Sequence, residues 1–317
     1  MKKNTPHSLL LFLCLILLIT PVFSLAETGH VLPDQELASC FPTFSDRGKV
    51  PLSFDENADN GELEIWFGRI SCCDGILVRC GGEVMLIDGG NSANGAATLL
   101  FIEQTGVKHV NYLFNTHHHD DHLEMQVRMI KRGNITADVF LTPYERGYNV
   151  DKQKAAEKVM DENHVEYRTM HDGDSMMLGG ENGAQIRFYR WGGSTNANYA
   201  SMICRITYGE RSIFLLADTC GLAQQELSKT RPDIEWKSDI IKAGHHGYTR
   251  QYTGLMKLLE PECVIITNSA GGASETVEQM KKENIPYFLT NKGTIYLHTD
   301  GGDSWYTYQD KTYLERK

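Results

Sequence analysis

The run Thr116-His117-His118-His119-Asp120-Asp121-His122 holds four side chains able to bind a divalent metal: His117, His119, Asp121 and His122. Neutral imidazole is the commonest metal ligand, and an adjoining carboxylate suits a hard or borderline ion. The run follows residues 110–115, an apolar, aromatic stretch that reads as a buried strand closed by a polar turn. In open α/β sheets the reacting groups collect at such strand ends, where loops aim several ligands at one point. Two residues apart on extended chain, His117 and His119 leave the same face and hold one ion; Asp121 and His122, at the bend that follows, point to a second. The competing reading is a solvated polar loop.

A second histidine pair ends another strand-like run, where residues 240–243 lead into Gly244-His245-His246-Gly247. Adjacent side chains on extended chain point to opposite sides. That alternation lets only one of the two reach the metal, His245 or His246; His245 is taken as the ligand and His246 for substrate or proton transfer, the reverse order being the alternative. Asp218 closes the apolar run 212–217, and its two oxygens suit it to bridge two ions. The ligand set is therefore His117, His119, Asp121, His122, Asp218 and His245, with Asp121 and His246 counted as catalytic. Six ligands shared by two Zn2+ ions, or by Mn2+ or another divalent ion, leave open positions, which suits catalysis by a metal-bound hydroxide better than scaffolding. Asp88, at the end of the run 83–88, reads as an acid that fixes a liganding ring, or as a turn aspartate before Gly89. Asn198, Ser201 and Tyr248 are read as facing substrate, the alternative for the first two being the turn itself.

These groups need a frame. Strand-like runs at 63–67, 75–80 and 83–88, with a Gly81-Gly82 hairpin, are followed by helical patterns at 95–105, 123–132 and 151–163. More strands follow at 185–189, 201–208, 212–217 and 240–243. Alternation at this spacing indicates a layered α/β domain. Each half has a strand ending in an aspartate (Asp88, Asp218) and a later one ending in a histidine cluster, a weak internal duplication that places the ligand types on one edge.

Residues 1–26 have a charged start, a short apolar core and a small-residue cleavage pattern, as in a secretion signal. The expected location is extracytoplasmic, or membrane-anchored if the segment is retained; no stable membrane insertion follows its removal. Residues 27–61 read as a proline-bearing leader and 62–317 as one domain. The net charge of −10 argues against a broad electrostatic grip on nucleic acid. Of eight cysteines, Cys14 lies in the signal, and the remaining odd number gives no disulfide framework.

With these pieces in place, the chain resembles the metallo-β-lactamase superfamily, whose H-x-H-x-D-H signature stands here as His117-His118-His119-Asp120-Asp121-His122. It looks most like the branch holding the hydrolase domain of the DNA-uptake competence protein ComEC. The residues that carry this are Ile87-Asp88-Gly89-Gly90, Asn198-Tyr199-Ala200-Ser201, Leu216-Ala217-Asp218 and Lys242-Ala243-Gly244-His245-His246-Gly247. The resemblance implies a four-layer αββα sandwich, two mixed β-sheets flanked by helices, with two zinc ions and hydrolysis of phosphodiesters or related esters. Two departures stand out. Only Asp74 of Ser71-Cys72-Cys73-Asp74-Gly75 matches the branch's Gly-Gln-Gly-Asp-Ala loop, and Tyr248 replaces a serine. The additional metal histidine of lactamases has no good counterpart, since His171 reads as part of a turn.

The expectation is a secreted dinuclear zinc phosphodiesterase acting on a small-molecule or polymeric ester. The alternatives are hydrolysis of a carboxylic ester, thioester or lactam, and a noncatalytic metal-binding module.

Overall fold

The structure, a computed structural model, describes residues 61–309; the expected signal (1–26) and nearly all of the expected leader lie outside them. Among the described residues no helix is long and apolar enough to cross a membrane.

β1 (Leu63–Phe67), β2 (Ile76–Cys80) and β3 (Glu83–Ile87) form an antiparallel start, with Gly81 and Gly82 at φ +53° and +79° in the two-residue turn. Such φ values match the twist of a hairpin and favour glycine. Helix α1 (Gly95–Thr105), stopped by Gly106 at φ +76°, carries the chain to β4 (His109–Phe114), parallel to β3. Helices α2 (Asp120–Arg132) and α3 (Asp151–Glu162) then lead to parallel β5 (Thr136–Thr142) and β6 (Glu166–Thr169).

The second sheet opens with the antiparallel β7 (Ser175–Leu178), β8 (Ala184–Tyr189), β9 (Ile203–Tyr208) and β10 (Arg211–Leu215). It continues, now parallel, through α4 (Gly221–Thr230), β11 (Ile240–Lys242), α5 (Thr253–Leu259), β12 (Cys263–Ile266), α6 (Ser274–Glu283) and β13 (Tyr287–Leu289). β14 (Ile295–Thr299) and β15 (Tyr306–Gln309) return to the first sheet beside β1. The sheet orders are β15-β14-β1-β2-β3-β4-β5-β6 and β13-β12-β11-β10-β9-β8-β7.

Three apolar clusters separate the layers. One, with Phe67, Phe114, Phe188, Ile206 and Leu297, lies between the sheets. A second packs the first three helices on the first sheet, and a third packs the last three on the second. This is the four-layer αββα sandwich expected from the sequence. Strands covered on both faces need apolar or paired residues: β12 is apolar throughout, and the charged residues buried in β1 and β2, Glu64 and Arg79, pair with each other.

Two boundaries differ from expectation. α2 begins at Asp120 rather than Leu123, because Asp120 and Asp121 fill its first turn, where carboxylates complement the helix dipole. Asp121 and His122 therefore sit on a helix start, not a loose bend. β10 ends at Leu215, and Asp218 lies beyond it in a turn with Ala217 at φ +43°. All six cysteines in the described region are free.

Candidate metal centre

Parallel pairing explains the placement of the site. β3 and β4 stop in register at Ile87 and Phe114, and β10 and β11 at Leu215 and Lys242. The loops that follow each pair leave from one edge, carrying Asp88, His117 and His119 from the first sheet and Asp218, His245 and His246 from the second.

Asp218, 1% exposed, stands at the centre. Its Oδ1 lies 3.2 Å from His122 Nε2 and 3.4 Å from His246 Nε2. Its Oδ2 lies 3.7 Å from His117 Nε2 and 3.9 Å from His245 Nε2. Each oxygen thus faces a different pair of imidazoles. Asp121 Oδ2 joins the first set, 3.4 Å from His246 Nε2 and 3.9 Å from His122 Nε2. His119 joins the second, its ring centroid 4.6 Å from that of His117 and a ligand atom close enough to share an ion with His117 and Asp218.

The inward atoms are unsatisfied. Nε2 of His117, His122 and His246 and Oδ1 of Asp218 are buried and make no hydrogen bond. Buried polar atoms almost always find partners, so a convergent group of orphans fits cations that would complete them. The cluster of Asp74, His122, Asp218 and His246, with His117 and His119 on the other side of Asp218, fits a dinuclear metal site.

The outward nitrogens, by contrast, are held. His122 Nδ1 lies 2.7 Å from Asp88 Oδ2, and Asp88 also accepts from Thr116 N at 2.9 Å and Thr116 Oγ1 at 2.8 Å. His246 Nδ1 lies 3.2 Å from Asp74 Oδ1 and 3.0 Å from Thr267 Oγ1. Such outer contacts fix the ring and leave Nε2 for the metal. Asp74 is near enough to be a ligand itself, but it faces the outer side of His246 and is engaged by Lys242 and by the Thr267 hydroxyl at 2.7 Å.

Lys242 enters the sequence reading only as part of the family resemblance, and Thr267 not at all. Lys242 is fully buried, pairs with Asp74, donates to Ala217 O at 2.8 Å and lies 4.0 Å from Asp218 Oδ1. A lysine inside the apolar run 240–243 was the available signal.

The alternation argument for the histidine pair fails. His245 and His246 both adopt left-handed backbone, φ +51°, in a 3-10 turn at Gly244–Gly247. His246 is completely buried against Asp74, Asp121 and Asp218, whereas His245 lies at the rim with Asn198 Nδ2 at 3.2 Å. The structure thus brings His246 into the cluster with Asp74, His122 and Asp218, while His245 Nε2 stays 3.9 Å from Asp218 Oδ2. Ser201 also differs: it is fully buried, donates to Asn198 O at 2.8 Å and accepts from Asp218 N at 3.1 Å, so it braces the loop and does not face substrate. Tyr248 is 40% exposed, its ring 5.5 Å from that of His245. His171 is exposed and contacts Glu145 and Asp174.

Within the cluster the carboxylates and imidazoles shift one another. Burial would raise Asp218, but His122 and His246 hold it well below the usual carboxylate range. Against the same opposition from burial, the nearby His246 and His122 imidazoles bring Asp121 to about 2. Burial would lower His122 and His246, yet Asp218 and Asp88 lift the first well above 6.5, and Asp218 and Asp74 lift the second to about 9. Burial and the charge of His122 keep His117 well below 6.5.

Asp88→Asn tests the ring-holding contact. Metal affinity, measured by chelator competition, is expected to fall about 10- to 100-fold. Unchanged affinity would leave Asp88 a turn residue.

The family model of the metallo-beta-lactamase superfamily matches residues 73–123, a span that includes Asp74, Asp88 and the whole histidine run. Among curated proteins none matches in sequence. Among solved structures, CmlA, a diiron beta-hydroxylase from Streptomyces venezuelae, is similar at 12% identity with a TM-score of 0.51, covering 78% of this chain and 54% of its own. Tm1679, a metal-dependent hydrolase of the beta-lactamase superfamily, has 11% identity, a TM-score of 0.47 and coverage of 72% and 94%. Human tRNase Z, short form, has 13% identity, a TM-score of 0.42 and coverage of 63% and 91%. The chain spans about half the length of CmlA, and at this identity the likeness is one of fold. The family match is confined to residues 73–123, and the structural likeness is to the fold.

Proposed function

We propose that the protein is a dinuclear metal-dependent hydrolase acting on a phosphodiester, exported from the cytoplasm and akin to the ComEC-type branch. The observation that carries this reading is the set of buried, unbonded ligand atoms that meet at Asp218 from both sheets. Zn2+, Mn2+ or another divalent pair would polarise a substrate oxygen and make a bound water acidic near neutral pH. The donors, imidazole nitrogens and carboxylate oxygens without a thiolate, suit such ions.

The chain's own residues supply the rest. His117 and His119 would hold one ion, Asp121, His122 and His246 the other, with Asp218 shared. Asp88 and Asp74 fix the rings, Lys242 offsets the charge of Asp74, and Ser201 sets the Asp218 turn. His245 and Asn198 stand at the open rim, placed to meet the substrate's free oxygens. Burial lowers His245 below 6.5, so it is neutral at pH 7 and able to accept a proton there. In this reading His245, not His246, is the proton-transfer group.

The test is turnover of a bis-aryl phosphate, an ester and a lactam, each with and without chelator. Phosphodiester turnover lost to chelator and restored by Zn2+ or Mn2+ supports the reading. Preference for the ester or lactam overturns the substrate class, and no turnover by metal-loaded protein points to a binding module. Since CmlA is a diiron beta-hydroxylase, turnover that needs reductant and O2 would move the chemistry outside hydrolysis.

Proton linkage gives an independent check. The His246 proton must leave before an ion binds, so affinity rises with pH up to about 9, and binding releases protons. In the metal-free protein the raised folded pKa of His246 contributes stability fully present below 6.5 and lost as pH rises through about 9. Melting of chelated protein is expected to fall across that window more than melting of loaded protein. Parallel curves would refute the linkage.

A further inference from the structure

Aromatic rings continue outward from the ligand cluster. The His119 and His118 centroids are 5.6 Å apart, His118 is 5.1 Å from Tyr144 and 6.1 Å from Tyr148, and the two tyrosines are 4.6 Å apart at 35°. The guanidinium of Arg190 lies 5.4 Å from the Tyr144 ring centroid, anchored on Ala200 O at 2.7 Å and Pro143 O at 3.1 Å. The row opens on a cavity of about 420 Å³ bounded by Tyr144, Tyr148, Met170, His171 and Arg190. That volume lies within the range of small-molecule sites.

The lining indicates what fits. Its acidic rim groups are already engaged: Asp172 pairs with Arg231 at 2.8 and 2.9 Å, and Glu145 contacts His171 and the Thr169 hydroxyl, each at 3.2 Å. What stays open is apolar and aromatic, including Tyr148, 39% exposed. The loops after β5, β6 and β8 that form it leave from the edge that carries the ligands. We propose that this cavity is the second half of the substrate site, receiving a planar aromatic ring, nucleobase or simple aryl, borne on the phosphate that reacts at the metal centre, and stacking it on Tyr148. Stacking on tyrosine is indifferent to which ring is presented and so suits a shared pocket. This rests on the phosphodiesterase reading.

The test measures binding of methyl phosphate, phenyl phosphate and adenosine 5′-monophosphate to zinc-loaded protein by calorimetry. Both ring-bearing phosphates are expected to bind about tenfold more tightly than methyl phosphate. Tyr148→Ala is expected to erase that preference and leave methyl phosphate binding as it was; Tyr148→Phe is expected to keep the preference. The exposed position of Tyr148 makes unchanged melting a usable folding control. Tighter binding of the nucleotide than of phenyl phosphate identifies a nucleobase pocket, and equal binding a general aryl pocket. Equal affinity for all three, no binding of any, or a preference that survives Tyr148→Ala overturns the proposal. Ring preference without diester turnover would refute the hydrolase and keep the pocket; turnover without ring preference would do the reverse.

Discussion

Asp218→Asn is expected to abolish stable loading of about two ions per chain and to slow hydrolysis roughly a thousandfold, since metal-ion stabilisation is worth several kcal/mol at 1.36 kcal/mol per decade. Each Asp218 oxygen faces its own pair of imidazoles, at 3.2 and 3.4 Å on one side and 3.7 and 3.9 Å on the other. Asparagine keeps the shape and the Ser201 contact to the backbone but presents an NH2 donor to one set. Elemental analysis after dialysis and turnover of a chromogenic phosphodiester would measure both effects. Retention of two ions by the variant would remove the bridge, and with it the proposed centre.

The second large effect concerns stability. Lys242→Met removes a fully buried cation from beside Asp74 while keeping the length of the stem. Leaving a buried carboxylate without its partner costs about 3–5 kcal/mol. For a domain of this size that is a drop in melting temperature of roughly 10 °C, read on chelated protein so that metal linkage does not enter. Adding Asp74→Asn is expected to recover much of the loss, because the amide needs no counter-charge and can still accept from Thr267. If Lys242→Met melts as the parent does, the buried pair has no structural weight.

What could be read from the chain follows from range. The His117–His122 run declared itself because its ligands are neighbours, and the strand and helix runs because apolar periodicity is local. Their alternation indicated a layered α/β domain, and the family resemblance implied the sandwich. Asp74 gave little sign of its work, since its partners Lys242, His246 and Thr267 are far along the chain and meet it only through sheet pairing. The order of His245 and His246 was hidden for another reason. A left-handed turn reverses the alternation that extended backbone would impose, and two histidines before a glycine do not announce it. Ser201 misled through composition: a polar residue in a polar loop looks available, yet its hydroxyl is consumed by Asn198 O and Asp218 N. Tyr144 and Arg190, ordinary in sequence, matter because their loops end beside His118.

The proposed ligands come from both halves, His117, His119, Asp121 and His122 from one and Asp218 and His246 from the other. A bound pair of cations would therefore act as a clasp at one end of the sandwich, lacing together halves whose facing sheets meet behind it across the apolar cluster. Chelation should unfasten that end first. Amide exchange is expected to quicken around residues 115–122, 216–219 and 244–248 while the strands behind them stay protected, so the molecule would gape at its mouth before it melts.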